Sequence, residues 1–539
     1  MISERCAHRP AVMGTRGMVS TAHPLATAAA VEMLWRGGNA VDAAVAAAAT
    51  LNVVEPFMSG IGGDGLLFLT LGKTGERKVL DFMGRTPFGA TPEACTAEDL
   101  QRGPKSCLVP GNVAGWWEAL GTHGRLSPAV VFDPAIRHAE QGFPLTHRGA
   151  FFFAEHKARL ASDALRVFCP TGAVPAPGTI LTHKALAATL RLIAREGPEP
   201  LYRGELGKRL CEAVRAAGGW LTTEDLAAFR PEWTRPIVAT FHENEVASVP
   251  PPAAGMQVLE TLGILEGHDF AALGHNSADA LHLVIEAVKL TMADRIAYQC
   301  IPDPPVAGLL SKAYAAAQRA RIDPKRAAIS GGERYTADVP AGAVGPGDPY
   351  GYQREHTTHF SAVDGEGNAA SITQTLGSPF GSGFIADDTG ILLNNLLMWN
   401  DLDPKSPNVL APHRKVETRM APVQVFREGG LIAALGTPGS YGIPQTTTQM
   451  LLNLLVYGMD IQEAIEAPRV RVYVDRTVDA EARIPADVRA TLEARGHVIR
   501  VLPDYSWVVG GGQGVTRDPA IGTLAGGADP RRDGYAMGW

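Results

Sequence analysis

The strongest constraint on how this chain can fold is a sharp change of pattern just before residue 357. From Ser330 to His356 the sequence SGGERYTADVPAGAVGPGDPYGYQREH is dense in Gly and Pro and has no apolar period, which predicts a linker. TTHFSAVD then alternates, GEGN supplies a turn, and AASITQTL alternates back, which predicts a β-hairpin. With the turn centred on Glu366, Thr357 faces Thr375, His359 faces Thr373 and Ser361 faces Ser371. Period two puts all six on one face, unusually rich in hydroxyls. Two readings follow from the hairpin itself. Threonines pair across strands because they suit a sheet, or one threonine is a nucleophile held beside a second.

Elsewhere helices and strands interleave. Pro24 to Arg36 has helical apolar spacing and stops at Gly37-Gly38, and Asn39 caps a second, alanine-rich helix, AVDAAVAAAATLNVV. Between Asn276 and Tyr298 an amphipathic helix is expected, with Leu281, Val284, Ile285, Val288, Met292 and Ile296 on one core-facing stripe. A helix over Gln445 to Tyr457 ends at Gly458, and Asp460 with Glu463 makes a capping box for the next. At 539 residues the chain needs either two lobes or one large layered unit.

Charge and composition exclude several partners. A net charge of −7 offers no basic footprint for nucleic acid, and no apolar stretch is long enough to cross a bilayer. The N-terminal MISERCAHRPAVMGTRG has no apolar core of a secretion signal, so a cytoplasmic location and a small-molecule substrate are expected. Six scattered cysteines without CxxC spacing read as reduced structural thiols. Gly60 to Gly65 spells G-x-G-x-x-G, but strand-like LLFLTL follows it, so it reads as a tight turn and no dinucleotide or other cofactor is expected. Pro438 stands where a G-x-S-x-G elbow needs glycine, so Ser440 is no serine nucleophile. His356 and His359 alone make no metal site, and none is expected.

T-T-H-F-S-A-V-D-G-E-G-N-A, then T-L-G-S-P-F-G-S-G and G-I-L-L-N-N, resembles the start of the small subunit in the γ-glutamyltransferase family. The resemblance spans nearly the whole chain, through GGNAVDAAVAAAATLNVVEP, SGIGGDG, VPGNVAGW, PPPAAGMQ, EAVKLTMADR and GTPGSYGIPQ to ADPRRDGYAMGW. It implies a four-layered αββα sandwich of the N-terminal nucleophile hydrolases, made as a precursor that cuts itself between His356 and Thr357. Residues 1–356 then form a large subunit and 357–539 a small one, intertwined as a heterodimer, with further dimerisation left open. Thr357 becomes the nucleophile, its own α-amine the base, and Thr375 the group that orients it. The oxyanion is assigned to backbone N–H groups at Gly439 and Ser440.

The sequence departs from the transpeptidase pattern where the substrate is held. Asp81-Phe82-Met83 stands for D-F-R, with Arg85 two residues later, and Thr418 and Arg419 replace the paired serines that bind the α-carboxylate. The three positions that grip the α-amino group are Gly377, Leu396 and Trp399. Such a pocket predicts hydrolysis of an amide of an acidic acyl group without an α-amine, as in glutaryl acylases or oxamate amidohydrolase, with Arg85 or Arg419 on the carboxylate. The alternatives are a glutathione hydrolase and a non-catalytic relative. The stretch between Asn395 and Met420 is short for a lid loop, implying an open site.

Overall fold

The computed structural model describes residues 7–336, 338–346 and 358–539. Two seven-stranded sheets, antiparallel throughout, form its centre. The first runs Tyr535–Gly538, Gly17–Thr21, Thr358–Asp364, Ala369–Thr375, Asp64–Thr70, Arg77–Asp81, Glu232–Thr234. The second runs Val12–Gly14, Leu524–Ala528, Gln513–Arg517, Gly430–Gly436, Val423–Arg427, Asn244–Ser248, Ile237–Phe241. Each sheet takes strands from both sides of residue 357, so the two parts of the chain share their cores.

The expected hairpin lies at the middle of the first sheet, with Thr358 opposite Gln374, His359 opposite Thr373 and Ser361 opposite Ser371. This is the register that a turn at Glu366 requires. Its two faces sort by period two. Phe360, Ala362, Ala370 and Ile372 pack outward with the helices Pro24–Trp35 and Ala40–Val54. Val363 and Ala369 point inward to Phe426, Leu431, Ala434 and Val515 of the second sheet. On that sheet's outer face Val423, Val425, Ala433 and Leu435 are covered by Gly255–Leu265, Ala278–Tyr298 and Gly442–Leu455. Helix, sheet, sheet, helix is the αββα order expected.

The helix Ala40–Val54 shows how sequence sets this packing. Asn39 and Asp42 form a reciprocal capping box, the Asn39 N–H donating to Asp42 at 2.8 Å, an arrangement worth about 1 kcal/mol. Every residue of the helix is buried, because alanine lets the backbone approach its neighbours from all sides. The first part of the predicted linker carries one parallel pairing, Ile329–Ser330 with Ala343–Val344. Its end, 347–356, lies outside the described residues.

One expectation needs correcting. The helix Ala278–Tyr298 was expected to bury one stripe, yet from Ala280 onward it is buried all round. Its polar side chains are matched inside instead. Lys289 donates to Glu286 at 2.7 Å, Arg295 pairs with Glu417, and Asp294 accepts from Gln318.

Asp294 also faces Glu260, and both carboxyls are held above the usual carboxylate range by burial, Glu260 further by the charge of Asp294. Protons bound by the folded state and lost with rising pH mean stability lost with rising pH. As the pH rises above the ordinary carboxylate range, the melting temperature of the protein is therefore expected to fall by several degrees more than that of Glu260→Gln, which keeps the shape without the titration. Parallel melting curves for the two proteins would count against a raised Glu260 carboxyl.

Candidate active site

Thr375 ends its strand opposite Asp64, and its Oγ1 accepts the Gly377 N–H at 2.8 Å. The glycine cluster before Asp64 exists for this approach: a Cβ on Gly63 would stand 2.3 Å from the Thr375 carbonyl oxygen, and one on Gly62 2.4 Å from that of Leu392. The G-x-G-x-x-G letters thus encode close backbone packing. Asp64 accepts from the Gly111 N–H at 2.6 Å, and burial pushes its carboxyl well above the usual range. Thr357 lies outside the described residues, as does His356. Thr358 is buried at the start of the facing strand.

Between the strand Gly430–Gly436 and the helix Gly442–Leu455 the chain makes a tight turn. Gly439 has φ +138 and Ser440 φ +64, in the region that side chains avoid. The carbonyls of Gly439 and Ser440 accept from Gly442 and Ile443, at 3.0 and 2.8 Å, while among the described residues neither the Gly439 nor the Ser440 N–H has an acceptor. Two buried donors left open at one turn form a ready anion site.

Tyr441 leads from this turn to Arg419. The Arg419 Nη2 donates to Tyr441 at 3.1 Å, its Nη1 lies 3.0 Å from Glu417, and its guanidinium stands 4.6 Å from the Tyr441 ring and 5.7 Å from that of Trp399. The side chain is fully buried, and burial, countered by Glu417, brings its pKa down to about 9, so it stays cationic at neutral pH. Thr418 is held through its backbone, its N–H donating to Pro252 and its carbonyl accepting from Gln299, both at 2.9 Å. A small cleft brings Thr418 beside Met83, Glu232 and Lys415.

Arg85 is placed differently. Its guanidinium donates to Glu232 at 2.6 Å in a partly exposed group that also includes Lys415. Two of the three positions matching the family's amino-group contacts meet: a Cβ on Gly377 would lie 2.3 Å from Asn395 and 3.2 Å from Leu396 Cδ2. Leu396 and Trp399 are both fully buried. None of the three carries a charged group.

Other candidates resolve into structural roles. His359 bridges Thr373 at 2.9 Å and Ser361 at 3.1 Å, and burial pushes its pKa down to about 3, so it is a neutral strut between hydroxyls. Burial pushes the Cys107 and Cys211 thiols up to about 12, far from thiolate chemistry. His282, Glu286 and His497 converge closely enough to hold a metal. However, the two imidazoles already hydrogen-bond at 2.9 Å and the Lys289 ammonium occupies Glu286, so the group reads as a closed network. Among the described residues no helix is long and apolar enough to cross a membrane. Sequence reasoning missed Arg532 and Glu55, both buried, Arg532 against Met58, whose carbonyl accepts from Leu376 N–H next to Thr375; the adjacent arginines of ADPRRDG were the available signal.

Comparison with known proteins bears on the family and the fold. The family model described as gamma-glutamyltranspeptidase matches residues 26–539. The chain is 38% identical over 548 residues to the acylase ACY 1 proenzyme of Pseudomonas sp. (strain V22), covering 98% of this chain and 94% of that protein. It is 32% identical over 545 residues to the oxamate amidohydrolase proenzyme of Klebsiella pneumoniae, covering 98% and 99%. Cephalosporin acylase from Bacillus halodurans superposes with a TM-score of 0.90 at 33% identity, covering 100% of this chain and 98% of that one. With its αββα layers, its paired hydroxyl strand and a match over nearly its full length, the chain belongs to the gamma-glutamyltranspeptidase family.

Proposed function

We propose that the protein is a self-cleaving amidohydrolase that removes an acidic acyl group lacking an α-amine. What carries this reading is the residue type at the three positions that the family resemblance assigns to the α-amine: Gly377, Leu396 and Trp399 carry no charge, while Arg419, 5.7 Å from the Trp399 ring, is buried and cationic. An ammonium buried there would cost several kcal/mol, or on the order of 10³-fold in specificity. A carboxylate beside Arg419 gains charge-assisted hydrogen bonds. The names of the acylase and oxamate amidohydrolase relatives lend support.

In this reading the precursor is cut between His356 and Thr357, leaving chains 1–356 and 357–539 bound through their shared sheets. The Thr357 hydroxyl attacks the amide carbonyl and passes its proton to its own α-amine, whose reference pKa near ~8 suits a base at neutral pH. The oxyanion is met by the open N–H groups at Gly439 and Ser440. Collapse expels the amine with that proton and leaves an acyl ester on Thr357, which water hydrolyses. No cofactor enters any step.

A matched pair of anilides tests the substrate class. A glutaryl anilide is expected to have kcat/KM roughly tenfold or more above the γ-glutamyl anilide, the two differing only by the amine. A clear preference for the γ-glutamyl compound, with efficient transfer to dipeptides, would replace this reading by a glutathione-type activity.

A further inference from the structure

Arg532 is a buried cation that the steps above leave unused. It is 4% exposed, and among the described residues its side chain's one hydrogen bond is from Nη1 to Met58 Sδ at 3.5 Å, with Nε unpartnered. No carboxylate among those residues comes within the 4.0 Å of an ion pair; Glu55, Asp529 and Asp533 act on it only from farther away. The neighbouring Arg531 makes the contrast. Equally buried, Arg531 takes Glu481 at 2.6 Å and Asp529 at 3.0 Å and also donates to the carbonyls of Ile465 and Ala467. A desolvated guanidinium without an anion is costly, and here the faces of Phe152 and Trp507, 5.1 and 5.8 Å away, are partial compensation. Burial lowers its pKa to about 10, which leaves it charged at neutral pH.

Its position relates it to the site. Met58, which it touches, accepts through its carbonyl from the N–H of Leu376, next to Thr375. Gly511 packs against the Arg532 stem, where a Cβ would come within 2.4 Å of Cγ, and Gly510 lies 3.2 Å from where a Cβ on Gly439 would stand. The turn Gly439 to Tyr441 therefore has a buried guanidinium at each end, Arg419 through Tyr441 and Arg532 through Gly510 and Gly511.

We infer that Arg532 binds a carboxylate on the amine half of the substrate, so that the enzyme takes amides acidic on both sides of the scissile bond. The inference rests on the acyl-group reading above: with the carbonyl held at the turn and the acyl carboxylate at Arg419, the group reaching Arg532 belongs to the leaving amine. The substrate class is an N-acyl amino acid or a similar carboxylated amine bearing a dicarboxylic acyl group.

Four amides measured on the mature enzyme test this: glutaryl and butyryl derivatives, each of 4-aminobenzoate and of aniline. Arg532→Met is expected to lower the ratio of kcat/KM for glutaryl-4-aminobenzoate over glutaryl anilide by about tenfold or more relative to wild type, because leaving-group reactivity cancels between the two proteins. The glutaryl-over-butyryl ratio should not change. An unchanged amine-side ratio, or loss on the acyl side instead, overturns the inference. Small-chain formation and melting temperature report whether the variant matures. If Arg532→Met does not, Arg532→Lys decides: it keeps a charge but loses the planar fork, so the amine-side ratio should fall several-fold, and an unchanged ratio overturns the inference. A wild type indifferent to the acyl carboxylate would refute the acyl-group reading, while the amine-side ratio would still judge Arg532.

Discussion

Thr357→Ala is expected to remain a single chain of 57.1 kDa and to lose at least ~10⁴-fold in amide hydrolysis. Wild type should instead run as two chains of about 38 and 19 kDa, the mass divided in proportion to length, with Thr357 as a new N-terminus. Both losses follow from one atom. The hydroxyl that attacks the preceding peptide bond during maturation is the hydroxyl that later attacks substrate, and alanine supplies none. Without the cut, moreover, no free α-amine exists to accept the proton. Thr357→Ser keeps a hydroxyl at nearly the same place and should still be cut. N-terminal sequencing of the purified proteins is the check. A fully active wild type whose only N-terminus is Met1 would rule out the N-terminal nucleophile mechanism.

Much of the architecture was legible because it rests on local patterns. The hairpin register followed from alternation and a turn at Glu366, and the helix Ala40–Val54 from the Asn39 cap and its run of alanines. Where polar residues lie inside, pattern reading fell short. In the helix Ala278–Tyr298 the polar residues Glu286, Lys289, Asp294 and Arg295 look like a solvated face until their partners arrive from distant segments, Glu417 among them. A hydrophobic period registers apolar side chains and is blind to a charge that is matched in the interior.

The substrate residues show the same limit. Arg85, Arg419 and Arg532 are indistinguishable as letters, and what separates them is the company each keeps. Arg85 lies in a partly exposed pair with Glu232, of a kind worth about 0–1 kcal/mol. Arg419 shares Glu417 with Arg295, two guanidinium groups on one buried carboxylate. Arg532 has no carboxylate within ion-pair reach among the described residues. The amino-group positions were easier to read, because replacement of polar contacts by Gly377, Leu396 and Trp399 changes residue type outright.

Thr375→Val is the second large effect expected, a fall in kcat of about 10²-fold with a smaller change in KM. Valine keeps the β-branched shape that suits the strand and removes only the hydroxyl. That hydroxyl accepts from Gly377 N–H at 2.8 Å, and donation of its proton is the role expected in orienting the nucleophile across the hairpin. The same substitution leaves the buried Gly377 N–H without its acceptor, at a cost of about 1–3 kcal/mol, so some loss of melting temperature accompanies it. Stability and catalysis separate through Thr375→Ser. Serine restores both the acceptor and the proton, and should recover most of kcat while melting close to wild type. If Thr375→Val keeps wild-type kcat despite a lower melting temperature, the hydroxyl serves only to tie down the turn at Gly377 and takes no part in orienting Thr357.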